Sequence, residues 1–287
     1  MSRKPLRNCA ILISVMSILT ARPALSHPIP EVTKLLAEMP KSPTHDRIKS
    51  VTYELPEAKT TTTYKVFVPD SYRPGTPTPL IVALHAFGVT PEEFLRYPGL
   101  TELANQRGYI VVAPSGFADH SWYGARGPGK ASSFDPSEFP NTGELGEKDF
   151  WQVLQRVRAD YTINPKRMYL LGHSMGGSGT WYHAIKHPEL WAAIAPIAAA
   201  FEVQGFKPLL VTVNDIQAIK NIPVIVFQGD ADTFCPAPLV HPWIEKMKSL
   251  GMNYSYTEIP GADHWFLLRS PDRMQKIFDT FDKSARP

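Results

Sequence analysis

One serine stands in a sequence pattern that can make it a nucleophile. Ser174 lies in Gly-His-Ser-Met-Gly at 172–176, after the apolar run 169–171 and before a stretch with helical spacing. A serine on a sharp strand-to-helix turn needs neighbours without bulky side chains, and the turn lifts its hydroxyl clear of the sheet. The first amides of the helix then face any negative charge that develops there. The pattern predicts a nucleophilic hydroxyl; the alternative is a glycine-rich turn that only packs a helix on a strand.

A serine nucleophile needs a base, and the base needs an orienting carboxylate. His264 is the last histidine of the chain and follows a predicted strand, so it is the predicted base. Asp230 and Asp232 follow the apolar strand 223–228. We favour Asp232, because a carboxylate two residues further out can swing over the sheet edge, and we expect Asp230 to brace the turn. Asp263 is expected to be a bystander, because neighbouring side chains diverge.

Two backbone amides should stabilise the oxyanion that forms when the serine attacks a carbonyl group. The first is the amide of Met175, the residue after the nucleophile. The second should come from Leu-His-Ala-Phe-Gly at 84–88, where a central strand breaks at a small residue and a glycine. Phe87 is our choice of donor, and Ala86 stays open as the alternative.

Four short motifs together resemble those of α/β-hydrolase esterases. They are His-Ala-Phe-Gly at 85–88, Gly-His-Ser-Met-Gly-Gly at 172–177, Gly-Asp-Ala-Asp at 229–232 and Gly-Ala-Asp-His at 261–264. Over positions 60–283 the chain is similar to exported esterases and peptidases akin to feruloyl esterases, polyhydroxybutyrate depolymerases and the prolyl oligopeptidase catalytic domain. The resemblance implies that Ser174, Asp232 and His264 are the nucleophile, acid and base.

Two positions depart from this family pattern. Ala86 stands where relatives usually have glycine after the histidine, which leaves the choice between Ala86 and Phe87 as the amide donor open. Cys235 stands where relatives often carry an aliphatic residue, and we expect it to be a small buried side chain. The acyl-transfer mechanism that the resemblance implies requires no metal and no organic cofactor.

The elements that must position these residues follow an alternation of short apolar runs and longer amphipathic stretches. This alternation predicts an α/β fold with a mostly parallel sheet, helices on both faces and an antiparallel N-terminal edge. Strands are predicted at 51–55, 63–69, 80–84, 109–113, 168–172, 191–197, 223–228 and 253–259. Helices are predicted near 91–107, 145–160, 175–187, 239–250 and 271–283.

One long stretch, 117–146, has no clear period and is rich in Gly, Pro, Ser and Asp. Because it follows a strand of the sheet, we expect it at the edge where active sites form. It is either a wall of the substrate site or a surface insertion. Trp122 and Tyr123 within it, and Trp265 beside the predicted base, are candidate stacking surfaces for a substrate.

The N-terminus has the pattern of a secretory signal peptide. Arg3, Lys4 and Arg7 precede an apolar run over 9–19, and the small residues of Ala-Leu-Ser at 24–26 follow. A membrane anchor is the alternative, but a run this short cannot cross a bilayer that needs about 20 residues. We therefore expect a signal peptide at 1–26, a catalytic domain at 27–287 and a secreted or periplasmic protein.

Removal of this leader changes the charge and cysteine arguments. Four of the 30 Lys and Arg residues lie within 1–26, which leaves 26 against 27 Asp and Glu residues in the mature chain. A net charge near zero gives no support for a nucleic-acid partner, and we expect no stable membrane insertion. Cys235 is then the one remaining cysteine, so we expect no intrachain disulfide.

The sequence thus favours an exported serine hydrolase that cleaves small-molecule or polymer-linked carboxylic esters. The alternative enzyme is a serine peptidase of the prolyl oligopeptidase type, because the same three residues serve both reactions. A binding module on an inactive hydrolase scaffold is disfavoured, since candidates for all three catalytic residues are present. The acyl group, the alcohol and the oligomeric state stay open.

Overall fold

The structure is a computed structural model that describes residues 29–131 and 138–287. Its strands form one eight-stranded sheet. They are β1 (Lys49–Leu55), β2 (Thr60–Phe67), β3 (Thr78–Leu84), β4 (Ile110–Pro114), β5 (Ile163–His173), β6 (Ala193–Ile197), β7 (Val224–Gly229) and β8 (Tyr254–Ile259). The helices are α1 (Pro30–Glu38), α2 (Pro91–Leu95), α3 (Leu100–Arg107), α4 (Thr142–Asp160), α5 (Met175–Lys186), α6 (His241–Ser249) and α7 (Pro271–Asp282).

The strand order is β1-β2-β4-β3-β5-β6-β7-β8. Strand β2 runs antiparallel to both β1 and β4, and from β4 to β8 every neighbouring pair is parallel. The carboxyl ends of the parallel strands therefore meet at one edge of the sheet, which is where loops from separate strands can build a site. The predicted fold class, with its antiparallel N-terminal edge, is confirmed.

Both faces of the sheet are covered, as the continuous apolar runs of its central strands require. In β3, Leu80 and Val82 face a core shared with helices α4, α5 and α6. Ile81 and Ala83 face the opposite core, to which α3 and α7 contribute. Because successive side chains alternate between faces, one short strand anchors both layers.

The helices differ from the predicted ones in two places. The predicted helix 91–107 is two helices, because Pro98 and Gly99 interrupt it and Gly99 adopts a φ of 86°. Helix α1 was not predicted. It is short, and it packs through buried Val32 against the core that α3 and α7 share, so its stability comes from tertiary contacts.

The long irregular stretch begins after β4, and its last residues, from Thr142, belong to α4. Its first part packs inward: Ala118 and Ala125 are buried in the core beside α4 and α5. The predicted signal peptide at 1–26 lies outside the described residues. Across residues 29–131 and 138–287, no helix combines the length and the apolar character needed to span a bilayer.

Candidate active site

Ser174 occupies the turn between β5 and α5, at the carboxyl edge of the sheet. Its backbone has φ 56° and ψ −114°, a combination that residues with a side chain rarely adopt. Two contacts hold this conformation: the Ser174 amide donates to the carbonyl oxygen of Ile197 over 2.9 Å, and the Ser174 carbonyl accepts from the amide of Ser178 over 3.0 Å. The sequence-predicted turn is thus a strained one, braced by β6 and by the helix it starts.

Glycine is required on both sides of this turn. A Cβ at Gly172 would lie 2.0 Å from the carbonyl oxygen of Gly176, and a Cβ at Gly176 would lie 1.9 Å from that of Leu84. These contacts are with backbone atoms, which cannot move aside without displacing β3 or α5. The spacing of the motif therefore reflects close packing of the turn on the neighbouring strand.

His264 and Asp232 form a buried pair at the same edge of the sheet. Nδ1 of His264 donates to Oδ2 of Asp232 over 2.7 Å, and the two residues are 4% and 3% exposed. This bond assigns the ring proton to Nδ1 and leaves Nε2 able to accept a proton. Asp232 follows β7 and His264 follows β8, so adjacent parallel strands deliver the two side chains.

Asp232 is held ionised by its hydrogen bonds. Its Oδ1 accepts from the amides of Phe234 and Cys235 over 2.9 and 2.8 Å, and its Oδ2 accepts from Nε2 of Gln228 over 3.0 Å. Burial alone would raise the pKa of Asp232, but the bond from His264 and the other donors hold this pKa below its usual value. Sequence reasoning missed Gln228, because nothing in a strand sequence marks one polar side chain as a partner of the next loop.

His173 links the Ser174 turn to His264. Its Nε2 donates to the carbonyl oxygen of His264 over 2.9 Å, and its Nδ1 accepts from the hydroxyl of Tyr97 over 3.3 Å. Burial, and then the neighbouring His264, lower the pKa of His173 to about 3, so the ring is neutral at neutral pH. A neutral ring next to Ser174 therefore fixes the backbone of His264.

The two other aspartates have contacts of their own away from the histidine ring. Asp230 accepts from the amide of Gly261 over 2.6 Å, which braces the turn after β7. Asp263 forms an ion pair with Arg269 at 2.6 Å. Both carboxylates are thus engaged elsewhere, as the sequence analysis expects of them.

The segment after β3 supplies the second candidate amide for an oxyanion. The amide of His85 donates to the hydroxyl oxygen of Tyr123 over 2.9 Å, and that of Gly88 donates to the carbonyl oxygen of Asp119 over 3.3 Å. These two amides are therefore committed to the 117–125 stretch, and the choice stays between Ala86 and Phe87. Met175 is the first residue of α5, where helix amides lack intrahelical acceptors.

The predicted stacking surfaces need a correction. Trp122, Tyr123 and Trp265 are 2%, 0% and 2% exposed, so their rings pack inside the protein and offer no open face to a substrate. Phe234, which the sequence analysis did not single out, is 62% exposed, and its ring centroid lies 5.3 Å from that of His264. An aromatic residue in a loop carries no sequence signal that distinguishes these two situations.

A second buried carboxylate bonds to the backbone next to the candidate site. Asp149, on α4, accepts from the hydroxyl of Tyr53 and from the amide of Gly116, the latter over 2.6 Å. Burial raises its pKa to about 6, although these donors act in the opposite direction. Because Gly116 precedes the stretch whose Tyr123 bonds to His85, Asp149 anchors the backbone beside residues 84–88, which carry the second candidate amide.

Cys235 is a buried residue beside the His264–Asp232 pair. Asp232, Cys235 and His264 could each offer one ligand atom to a metal ion, with these atoms within 4.8 Å of one another. In this arrangement, the carboxylate and the ring nitrogen already bond to each other. Burial and the Asp232 charge raise the pKa of the Cys235 thiol, so it is protonated at neutral pH and is a poor metal ligand or nucleophile.

The parallel sheet and the strained serine turn between β5 and α5 define the chain as an α/β-hydrolase. The model of the Esterase family matches residues 56–267, and the chain belongs to this family. It is 26% identical over 239 residues to "Putative esterase NocK" of Nocardia uniformis subsp. tsuyamanensis, covering 79% of this chain and 63% of that protein. Over 154 residues it is 25% identical to S-formylglutathione hydrolase of Mus musculus, covering 50% and 53% of the two chains.

The chain thus spans less than two thirds of the length of these curated relatives. A solved structure of a thermostable esterase matches with a TM-score of 0.64 and 24% identity, covering 86% of this chain and 65% of that one. This structural likeness supports the α/β-hydrolase fold.

Proposed function

We propose that the protein hydrolyses carboxylic esters through an acyl-enzyme on Ser174. The observation that carries the proposal is the strained Ser174 turn at the sheet edge where the buried His264–Asp232 pair also lies. Membership of the Esterase family supports the same reaction.

In the first half of the reaction, Nε2 of His264 takes the proton of the Ser174 hydroxyl as the oxygen attacks the ester carbonyl. Asp232 keeps the ring in the tautomer that can accept this proton and stabilises the imidazolium that results. The amides of Met175 and Phe87 stabilise the tetrahedral oxyanion. Its collapse expels the alcohol, which leaves with the proton from His264, and the acyl group remains on Ser174.

In the second half, His264 takes a proton from water while the water oxygen attacks the acyl-enzyme carbonyl. A second oxyanion forms at the same amides. Its collapse breaks the bond to Ser174, whose oxygen recovers the proton from His264, and the carboxylic acid leaves. The buried position of the pair favours these transfers, because electrostatic interactions are stronger where water is excluded.

The proposal is tested on a series of p-nitrophenyl esters from acetate to long acyl chains, with methyl ferulate and peptide substrates beside them. We expect ester hydrolysis by the wild type, and a loss of about 10⁴-fold or more in kcat for Ser174→Ala. Ser249→Ala removes an exposed hydroxyl at the end of α6 and is the matched control. Mass spectrometry of an organophosphorus adduct should locate the label on Ser174.

Three results would contradict this proposal. Ester hydrolysis that survives Ser174→Ala would remove Ser174 as the nucleophile. A wild type that cleaves no ester but cleaves peptides would favour the peptidase alternative. Absence of both activities, with no labelling of Ser174, would favour a binding module.

We also propose that residues 1–26 direct export and are removed. The support is the basic, apolar and small-residue pattern of the N-terminus. N-terminal sequencing of the protein recovered outside the cytoplasm should begin near His27. A chain that keeps its first residues and stays with the membrane fraction would favour the anchor alternative.

A further inference from the structure

A cavity of about 630 Å³ lies between the segments 201–213 and 238–243. Its wall begins at Phe201, and the preceding residue, Ala200, donates its amide to the carbonyl oxygen of Ser174 over 3.3 Å. Ala200 therefore joins the wall of the cavity to the backbone of the proposed nucleophile. Most of its lining is apolar and includes Phe201, Phe206, Leu209, Leu239 and Trp243.

Arg126 is a buried cation in the wall of this cavity. It is 2% exposed, and its guanidinium carbon lies 3.7 Å from the centroid of the Trp122 ring. The guanidinium donates to the carbonyl oxygens of Ala200 (3.0 Å), Phe201 (3.4 Å) and Lys207. Its Nε is buried with no hydrogen-bond partner in the described part of the chain.

Within residues 29–131 and 138–287, no carboxylate pairs with Arg126. Glu202 also lines the cavity, but it is exposed to solvent. A buried charge without a counter-charge has a large desolvation cost that carbonyl groups offset only in part. Burial lowers the pKa of Arg126 to about 10, so the group is still charged at neutral pH.

The guanidinium also has hydrogen-bonding capacity left. Arginine carries five N–H donors, and the three carbonyl oxygens that accept from Arg126 leave others, including the Nε proton, without acceptors in the described residues. A planar guanidinium with open donors matches the two oxygens of a carboxylate. Ala200 connects the two sites, since its carbonyl oxygen accepts from the Arg126 guanidinium and its amide donates to the carbonyl oxygen of Ser174.

We propose that Arg126 binds a carboxylate carried by the ester substrate, and that the apolar cavity takes the hydrocarbon part that links this carboxylate to the ester. This assignment rests on the proposed function. A carboxylate so placed would supply the counter-charge that the described residues do not provide. The enzyme would then select esters of dicarboxylic acids or of hydroxy acids over neutral esters of the same size.

Near-isosteric pairs of esters test the assignment on either side of the scissile bond. On the acyl side, p-nitrophenyl hydrogen succinate is compared with p-nitrophenyl pentanoate. On the alcohol side, p-acetoxybenzoate is compared with p-acetoxybenzamide. For at least one pair, we expect the wild type to have a kcat/KM about 10- to 100-fold higher for the anionic ester, the gain that a charge-assisted hydrogen bond provides.

Arg126→Gln should abolish this preference through a higher KM for the anionic ester, so that kcat/KM falls about tenfold or more further for the anionic ester than for the neutral one. Arg126→Lys should restore part of it, because a cation is retained without the planar fork. Lys207→Gln removes the exposed cation that also lines the cavity. It should leave the preference within about threefold, because solvent screens an exposed charge.

An equal loss of kcat/KM on neutral and anionic esters in Arg126→Gln would overturn the proposal, since it would limit the role of Arg126 to holding the 200–207 backbone. A wild type that hydrolyses both members of each pair equally would also overturn it, even if no Arg126 variant folds. If the preference for the anionic ester disappears in Lys207→Gln and not in Arg126→Gln, the carboxylate binds at exposed Lys207 and the proposal for Arg126 is overturned. Hydrolysis of none of these esters would contradict the proposed function and not this inference alone.

Discussion

Two carboxylates are buried at the same edge of the sheet, and their surroundings move their pKa values in opposite directions. Asp232, after β7, accepts from His264, from a glutamine side chain and from two amides, and its pKa is below the usual value. Asp149 reaches the backbone after β4 from α4, accepts from neutral donors, and has its pKa raised to about 6 by burial. Both are close to fully buried.

The difference shows that burial and amide bonds do not by themselves lower the pKa of a carboxylate. Burial disfavours the charged form of both groups. At Asp232 a partner that can become positively charged reverses this effect. At Asp149 the described donors are neutral, so the carboxylate anchors the backbone near residues 84–88 at an electrostatic cost. We therefore expect the two residues to respond differently to loss of their charge.

Asp232→Asn should have the largest effect. An amide in place of the carboxylate cannot hold the same tautomer of His264, so we expect kcat/KM for p-nitrophenyl acetate to fall about 10³- to 10⁴-fold. Asp230→Asn removes an exposed carboxylate two residues earlier and is the matched control. Its kcat/KM should stay within about threefold of the wild-type value. Asp149→Asn should lower kcat/KM by less than about tenfold, since Asp149 bonds to the backbone next to the site.

Thermal unfolding should show that all three variants are folded. If Asp230→Asn loses the activity and Asp232→Asn keeps it, the acid of the triad is Asp230. If Asp149→Asn loses as much activity as Asp232→Asn, the comparison between the two carboxylates fails.

The pH dependence of stability should identify Asp149. Its pKa rises from 3.8 to about 6 on folding, so the folded state holds this proton to higher pH than the unfolded state. The contribution of Asp149 to the free energy of unfolding should therefore fall as pH rises from about 4 to 6, by roughly 3 kcal/mol. Asp232 acts with the opposite sign, because its lowered pKa gives stability that is lost only as pH falls below 3.8.

The measurement is the free energy of unfolding in urea, taken from pH 4 to 8 for the wild type and for Asp149→Asn. The value for the variant is subtracted from that for the wild type, because histidine titration contributes equally to both. This difference should decline between about pH 4 and 6 and be constant above pH 7. Asp160→Asn, exposed on the same helix, is the control for loss of one carboxylate. If the wild type gains stability relative to Asp149→Asn as pH rises, the Asp149 carboxylate ionises in the folded state without a loss of stability.

The smallest expected effect is on the reaction rate of the Cys235 thiol, which depends on the charge of Asp232. Because burial and that charge raise the pKa of the thiol, a thiol reagent should react slowly with the folded Cys9→Ala protein and rapidly after unfolding. Asp232→Asn should speed the folded-state reaction about three- to tenfold, since it removes the nearby negative charge. Asp149→Asn should leave this rate unchanged, and an equal acceleration in both variants would indicate general loosening instead.

Much of the scaffold could be predicted from the sequence, because strands and helices with a strong period are local features. The eight predicted strands all occur, and the Gly172 and Gly176 spacing indicates the turn at Ser174. Helix α1 escaped prediction because a short segment is stabilised by what it packs against. The prediction of open stacking surfaces at Trp122, Tyr123 and Trp265 is wrong, because an aromatic side chain gives the same sequence signal whether its ring is buried or exposed.

The sequence by itself determined the order of elements, the strand-turn-helix around Ser174 and the run of acid and histidine candidates at later strand ends. These are patterns within a few residues, where steric and periodic rules apply. The tertiary structure alone decided that Asp232 bonds to His264, that Asp149 supports the edge of the site and that Arg126 is buried beside a cavity without a described counter-charge. Each depends on which distant segments come together, because burial and the partners of a charged group arise only when the chain packs.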